Sequence, residues 1–189
     1  CVGLNLTQAP TNFPKESVEI YLEDNFIHEI YNRTFIGLKK LKKLHLWGNH
    51  IAAIEKGAFQ GLSGLYSLEI SEPGLTIEVL EQSVFKAVPH FMPSLKRLTA
   101  ADMSVKLRPS SLQPLSGFSL ELVDFSNNKN MCDWPDGALS GLHVRVLSIR
   151  LCNCMTINTK AFSNSTLLFL MSAFNRFRSI PDFANHSET

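Results

Sequence analysis

The residues best suited to chemistry in this chain are its cysteines and one nearby histidine. Cys132, Cys152, Cys154 and His143 supply the thiol and imidazole groups that structural zinc sites use. The Cys-x-Cys spacing at 152 and 154 is, however, tighter than the separation of two to four residues usual in such sites. A disulfide is the other chemistry open to these thiols, and it requires that the fold bring two of them within reach.

Catalytic chemistry has little support among the other polar residues. The chain has six histidines together with many serines and carboxylates, but they form no recognisable nucleophile-base spacing. No Gly-rich phosphate loop follows a strand, and there is no HExxH motif. We therefore expect a binding protein and not an enzyme, and the sequence implies no cofactor.

The composition is that of a folded chain with no bulk charge preference. Its 189 residues are 44% hydrophobic and 19% charged, with a net charge of +1, which argues against both disorder and polyanion binding. The sequence holds no uninterrupted apolar run of about 18 residues and no N-terminal export signal. We expect any membrane contact to be made through a segment outside this chain.

A repeating apolar frame organises the chain. Residues 41–64, LKKLHLWGNHIAAIEKGAFQGLSG, place apolar residues at positions 1, 4, 6, 11, 14, 19 and 22 of a 24-residue unit, with asparagine at position 9. This spacing, LxxLxLxxNxIxxIxxxxFxxL, is that of the leucine-rich repeat. The other units, increasingly loose towards a truncated seventh, are 17–40, 65–94, 95–119, 120–143, 144–166 and 167–189.

The spacing predicts the fold. The LxL pair has the period of two of a short strand, and the later Phe and Leu return the chain over the same core. One unit cannot bury its apolar face alone, so stacked units must share a core. We predict an α/β leucine-rich repeat solenoid, curved as a horseshoe, with a parallel β-sheet on the concave face and an irregular or short-helical convex face. The position 9 asparagines are expected to satisfy backbone groups of adjacent turns.

Two units depart from the frame at position 9. Pro73 and Met103 stand there in the third and fourth units, and neither can supply both the donor and the acceptor of asparagine. We predict an irregular, bulged turn over residues 73–94, in the form of a protruding loop. Simple drift of the repeat is the alternative.

The predicted stack narrows the choices for the cysteines. Neighbouring turns lie about 4.8 Å apart, inside the Cα separation that a disulfide tolerates. Cys132 and Cys154 are 22 residues apart, nearly one repeat, which favours their pairing. The pair Cys132 and Cys152 is the alternative. Cys152 stands at position 9 and is expected to be a buried thiol.

The chain resembles the N-terminal part of a Toll-like receptor ectodomain. The resemblance rests on units with Asn at position 9 and Phe at position 19, on unequal central units, and on the cysteine pair inside the array. The start, CVGLNLTQAPTNFP, is similar to the second cysteine and following strand of an extracellular N-terminal cap. The resemblance implies that residues 1–16 are a partial cap, in which Cys1 pairs with an upstream cysteine.

The same resemblance implies a function. It suggests an innate-immune receptor, at the cell surface or in an endosome, that binds a microbial or endogenous ligand and signals through dimerisation. Adhesion proteins, small proteoglycans, Slit-like guidance proteins and variable lymphocyte receptors share the repeat, however. A secreted or cell-surface adhesion or matrix protein, or an antigen binder like a lymphocyte receptor, is therefore the alternative. Whether the ligand is protein, lipid or nucleic acid stays open.

Candidate ligand contacts are the strand positions that point away from the core. Glu23 and Glu69 are among those expected to face solvent. Aromatic and arginine side chains commonly anchor interfaces. On that basis the candidates in the first four units are Tyr21, His45, Trp47, Tyr66 and Arg97. A solvated rim without a partner is the alternative.

The last units predict a second candidate surface. Apolar side chains stand at outward positions there, and a contiguous exposed apolar patch often marks an interface. Its members are Leu122, Val146, Leu151, Phe169, Met171 and Phe174. The alternatives are a slip of the repeat frame or cover by a downstream segment.

Four N-x-S/T sequons predict glycosylation if the protein is exported and the sites are exposed. They are Asn5, Asn32, Asn164 and Asn185. Asn32 and Asn164 fall in return segments, where a glycan would leave the strand face free.

Overall fold

Short strands occur where the repeats place their LxL pairs. The computed structural model of the protein describes residues 1–103, 108–109, 111–129 and 131–179. The strands that overlap the LxL pairs are β1 Glu19–Tyr21, β3 Lys43–His45, β5 Ser67–Glu69, β6 Arg97–Thr99, β7 Ser119–Asp124, β8 His143–Ser148 and β9 Thr166–Met171. Two further short strands, β2 Glu29–Ile30 and β4 Ala53–Ile54, lie in the return segments.

The strands form two parallel sheets. Seven of them pair in the order β1-β3-β5-β6-β7-β8-β9, and β2 pairs with β4 in a separate sheet. The register places the position 4 residues of successive units side by side in one column. That column is Ile20, Leu44, Leu68, Leu98, Val123, Leu147 and Leu170. All but Leu170 are buried, so the predicted leucine-rich repeat solenoid is confirmed.

Stacked phenylalanine rings continue the core through the return segments. Phe35 and Phe59, both at position 19, stack with ring centroids 6.3 Å apart and planes inclined by 10°. Phe13, from the segment before the first unit, lies 6.1 Å from Phe35. The first sixteen residues therefore extend the same stack and cover its first turn.

The position 9 asparagines link the backbone of successive turns. The Asn49 carboxamide oxygen accepts the Ile27 N–H at 3.1 Å, and its amide donates to the carbonyls of Leu22 and Leu46 at 2.9 and 2.8 Å. Asn128 repeats the arrangement three units later. This role was predicted from the sequence and is confirmed.

A buried glutamate replaces asparagine in the third unit. Glu72, the residue before Pro73, is fully buried, and its carboxylate accepts the Asn49 N–H at 2.7 Å. Burial raises the pKa of Glu72 to about 7, although the N–H groups of Asn49 and Ile51 act in the opposite direction. Glu72 thus supplies the acceptor that Pro73 cannot. Its second oxygen has no hydrogen-bond partner in the described part of the chain.

The extra length of the third unit is helical. The irregular, bulged turn predicted for residues 73–94 is wrong, because a run of helical turns occupies most of this range. It comprises α-helical Ile77–Val79, π-helical Leu80–Val84, 3₁₀-helical Phe85–Ala87 and α-helical Val88–Phe91. Its apolar side chains, among them Leu80, Phe85 and Val88, are buried, so the added residues extend the core.

Two shorter 3₁₀ turns also lie in the return segments of the described residues. They are Gln113–Leu115 and Thr159–Phe162. Within the described ranges, no helix is both long enough and apolar enough to cross a bilayer.

Loss of the position 9 carboxamide should be costly. Asn49→Ala leaves the Ile27 N–H and the Leu46 carbonyl without their side-chain partner, while the Leu22 carbonyl keeps the hydrogen bond from the Asn25 amide. We therefore expect the free energy of unfolding to fall by about 2–4 kcal/mol. Urea denaturation followed by circular dichroism measures it. The exposed Asn12→Ala is the control, and equal stability of the two variants would refute the structural role of Asn49.

Stability should depend on pH through Glu72. Its pKa is raised from 4.5 to about 7 on folding, so its stabilising contribution is full below the unfolded pKa and is lost as pH rises towards 7. Glu72→Gln keeps a neutral acceptor and cannot titrate. Between about pH 5 and about pH 8 we expect the native chain to lose about 1–3 kcal/mol more than this variant. Urea denaturation across pH tests this, with exposed Glu16→Gln as the control; parallel curves for the native chain and Glu72→Gln would contradict it.

Candidate ligand-binding face

The open face of the large sheet carries two columns of side chains. Residues at positions 3 and 5 project from it because their position 4 neighbour points into the core. The position 3 column is Glu19, Lys43, Ser67, Arg97, Leu122, Val146 and Phe169. The position 5 column is Tyr21, His45, Glu69, Thr99, Asp124, Ser148 and Met171. Both columns change from polar and charged to partly apolar towards β9.

The polar side chains of the first units bind one another. The Tyr21 ring stacks on His45 with centroids 4.6 Å apart, and the His45 Nδ1 lies 2.9 Å from a Glu69 oxygen. The Lys43 ammonium is 2.7 Å from the Glu19 carboxylate, and its hydrogen bond lowers the pKa of Glu19. Tyr21 and His45 are therefore brought together. The Tyr21 hydroxyl bonds Glu19 and the His45 Nδ1 bonds Glu69, whereas the buried His45 Nε2 has no hydrogen-bond partner among the described residues.

Glu23 corrects the prediction that it faces solvent. It is only 6% exposed and lies 3.7 Å from the His45 Nδ1. The reason is that the chain turns inward after the strand, so the Glu23 carboxylate lies against the His45 imidazole of the next turn. Trp47 occupies the same position one unit later and stays 40% exposed.

Tyr66 and Arg97 lie between the polar first units of the face and its partly apolar last units. The Tyr66 hydroxyl hydrogen-bonds the Glu121 carboxylate, which raises the pKa of Tyr66. Arg97 is exposed beside them. Both are on the surface where the sequence placed them.

A depression of about 480 Å³ lies over the last four strands. It brings together the predicted contacts Arg97, Phe169 and Met171. We call it the concave depression, and its lining is Arg97, Glu121, Leu122, Asp124, Arg145, Val146, Ser148, Arg150, Phe169 and Met171. Leu122 and Val146 of the predicted patch are half-buried in it.

The sequence prediction missed half of this lining. The residues missed are Glu121, Asp124, Arg145, Ser148 and Arg150. They occupy positions 2, 5 and 7 of their units, so counting the outward positions through the fifth and sixth units would have found them. The prediction took only the apolar outward residues of those units into account.

Two members of the predicted patch lie outside the depression. Leu151 and Phe174 are 52% and 77% exposed, and both have a positive φ of 59°. They stand at position 8, where the chain bends after the strand, so their side chains leave the sheet surface. Tyr21, His45, Trp47 and Tyr66 also lie apart from it, on the first units.

The depression carries a net positive charge, because three arginines, Arg97, Arg145 and Arg150, line it against two carboxylates. Arg145 and Arg150 are exposed, and neither guanidinium has an ion pair or hydrogen bond to another described residue. Its two carboxylates are engaged, Glu121 by the Tyr66 hydroxyl and Asp124 by the Ser126 N–H at 2.9 Å. Exposed Phe169 and Met171 stand beside these free arginines.

The cysteines are joined across neighbouring turns. Cys132 and Cys154 form a disulfide with Cα atoms 5.2 Å apart. Cys152 is a buried free thiol that donates to the Phe125 carbonyl at 3.3 Å, and burial raises its pKa. It replaces asparagine at position 9, as expected. Among the described residues, no group of three or more His, Cys, Asp or Glu is arranged to hold a metal ion.

Three of the sequon asparagines are exposed. Asn5, Asn32 and Asn164 all lie at the surface, the last two in return segments away from the sheet. Asn185 lies outside the described residues. Their glycosylation stays a prediction.

The parallel sheet, the shared core and the asparagine links define a leucine-rich repeat solenoid with one open side-chain face. Residues 18–75 match the family model described as leucine rich repeat.

The chain is similar to two curated proteins along much of its length. The chain is 30% identical to decorin of Rattus norvegicus over 133 residues, covering 69% of this chain and 37% of decorin. It is 28% identical to keratocan of Gallus gallus over 178 residues, covering 92% of this chain and 47% of keratocan. It therefore spans less than half the length of either relative.

A solved structure shares the architecture. The crystal structure of human 5T4, also called Wnt-activated inhibitory factor 1 or trophoblast glycoprotein, superimposes with a TM-score of 0.57 at 18% identity. The match covers 92% of this chain and 76% of that one. At this identity the likeness shows the fold alone.

Peptide mapping should distinguish the two disulfide pairings that the spacing allows. Without reduction, we expect mass spectrometry to find a cross-linked pair of peptides containing Cys132 and Cys154. Cys152 is buried and its pKa is raised, so iodoacetamide should modify it only after unfolding. The exposed Cys1 serves as the reactive control if it is unpaired. A Cys132–Cys152 cross-link would overturn the assignment.

Proposed function

We propose that this chain is the ligand-recognition region of an extracellular leucine-rich repeat protein of the adhesion or matrix class. It binds a macromolecular ligand on the open face of its sheet. The observation that carries this proposal is the concave depression, where free arginines stand beside exposed Phe169 and Met171. Aromatic and arginine side chains in a partly enclosed site are the usual anchors of protein recognition.

The compartment is supported by two independent observations. Decorin and keratocan are extracellular leucine-rich repeat proteins. The Cys132–Cys154 disulfide also favours an oxidising environment, because such bonds seldom persist in the cytosol. Exposed sequons at Asn5, Asn32 and Asn164 are compatible with export.

An innate-immune receptor that binds a microbial or endogenous ligand and dimerises is the second candidate. The unequal third unit and the cysteine pair inside the array favour it. None of the relatives named above is a Toll-like receptor, however. The similarity to decorin and keratocan favours the adhesion or matrix class. We therefore place the receptor second.

The shape of the site favours binding over catalysis. The face is a broad, open sheet, and the concave depression in it is open to water. Strong activation of a catalytic group generally requires that water be excluded. We propose no enzymatic role.

The proposal is tested by a binding screen with matched surface variants. The chain is immobilised and titrated with purified matrix proteins, microbial glycolipids, lipopeptides and nucleic acids. Phe169→Ser should weaken binding of a matrix protein at least about tenfold, since it removes an exposed anchor. Trp47→Ala tests whether the ligand contacts the first units of the face.

The control and the outcomes separate the candidates. Ile36→Ser changes an equally apolar side chain, 44% exposed, in a return segment away from the sheet, and should leave affinity unchanged. A ligand of microbial origin would support the receptor instead of the matrix class. A matrix ligand insensitive to both Phe169→Ser and Trp47→Ala would reject the open face as the site.

A further inference from the structure

We propose that the concave depression binds a protein segment in which two acidic side chains flank an apolar one. This inference rests on the proposed function and specifies the chemistry of its ligand. Three features of the depression lead to it: unpaired guanidinium groups, an apolar floor, and the spacing between the charges.

The charges of the depression are unequally available. The guanidinium groups of Arg145 and Arg150 have no partner among the described residues, whereas Glu121 and Asp124 already accept hydrogen bonds. Because three arginines line the depression against these two carboxylates, its net charge favours an arriving carboxylate over an arriving cation. Arginine pairs with carboxylates through two parallel hydrogen bonds, which gives both strength and orientation.

The floor between the charges is apolar. Leu122, Val146 and Phe169 occupy paired positions on β7, β8 and β9, so their Cα atoms follow one another at about 4.8 Å. Phe169 is 58% exposed and Met171 41% exposed. Covering them with an apolar side chain would remove this surface from water, which is favourable. The ligand must therefore be apolar as well as acidic.

The distance between the two arginines determines how far apart the acidic residues of the ligand must stand. Arg145 is the third residue of β8 and Arg150 lies two residues beyond the end of that strand, so they stand five residues apart, about 16 Å in extended chain. An extended peptide covers this distance with about five residues. Acidic residues four or five positions apart would reach both guanidinium groups, and an apolar residue between them would lie over Val146 and Phe169.

A protein segment fits this arrangement better than a sulfated polysaccharide. A polysaccharide would satisfy the guanidinium groups but would leave Phe169 and Met171 without apolar contacts. The volume of about 480 Å³ is also of the size that encloses a few side chains and not a long chain. The polysaccharide is therefore an outcome of the test and not the proposal.

Selection from a displayed library of random peptides tests the ligand chemistry. Peptides of about 12 residues, long enough to span both arginines in extended form, are selected on the complete chain. We expect enrichment of pairs of Asp or Glu four or five positions apart with Phe, Leu or Trp between them. Arg145→Gln with Arg150→Gln should weaken the enriched peptides at least about tenfold, and Phe169→Ser should weaken them similarly.

The matched control is Lys15→Gln with Lys39→Gln, which removes two exposed charges away from the depression. It should leave affinity unchanged. Because both arginines are exposed, we expect the double variant to fold, and circular dichroism checks this. Single Arg145→Gln and Arg150→Gln variants should each give an intermediate affinity.

Three outcomes would overturn the inference. They are enrichment of peptides without acidic pairs, equal affinity for the arginine double variant, and binding of heparin with no peptide enriched. If Phe169→Ser still abolishes binding of a matrix ligand in any of these cases, the proposed function stands and only the ligand chemistry is wrong. If Phe169→Ser and Trp47→Ala leave the matrix ligand bound, the site itself is wrong.

Discussion

Every turn of this chain depends on its neighbours for a buried interior. The leucine column of the large sheet and the stacked rings of Phe13, Phe35 and Phe59 run across turns and not within them. A single unit would leave these side chains in water. The asparagine links complete the same constraint, because turns close enough to share a core also bury backbone groups that need partners. Hydrophobic contact and hydrogen bonding thus require the same distance between adjacent turns.

That spacing also creates the binding face. Turns held in register align their outward side chains into columns, so residues far apart in sequence become neighbours about 4.8 Å apart. Arg97 and Phe169 line one depression for this reason, although 72 positions separate them. The core determines where the columns lie, and the outward residues are free to vary. Recognition can therefore change from turn to turn while the fold is maintained.

The sequence predicted the features that recur and missed those that occur once. Position 4 leucines and position 9 asparagines repeat, so their burial and bonding could be derived from spacing. The helical turns of residues 77–91 depend on one longer unit, where no second copy reveals the pattern. The burial of Glu23 beneath His45 depends on how one turn covers another, which spacing does not record. Spacing likewise does not show that the Arg145 guanidinium has no partner among the described residues.

The covalent link between Cys132 and Cys154 joins the fifth and sixth units, the two turns that supply most of the depression. Their outward residues cannot separate widely, since the backbones beneath them are tethered. The motion of the surface that a ligand contacts is therefore already restricted. Binding then costs less conformational entropy. In this solenoid the rigidity needed for recognition is built in before any partner arrives.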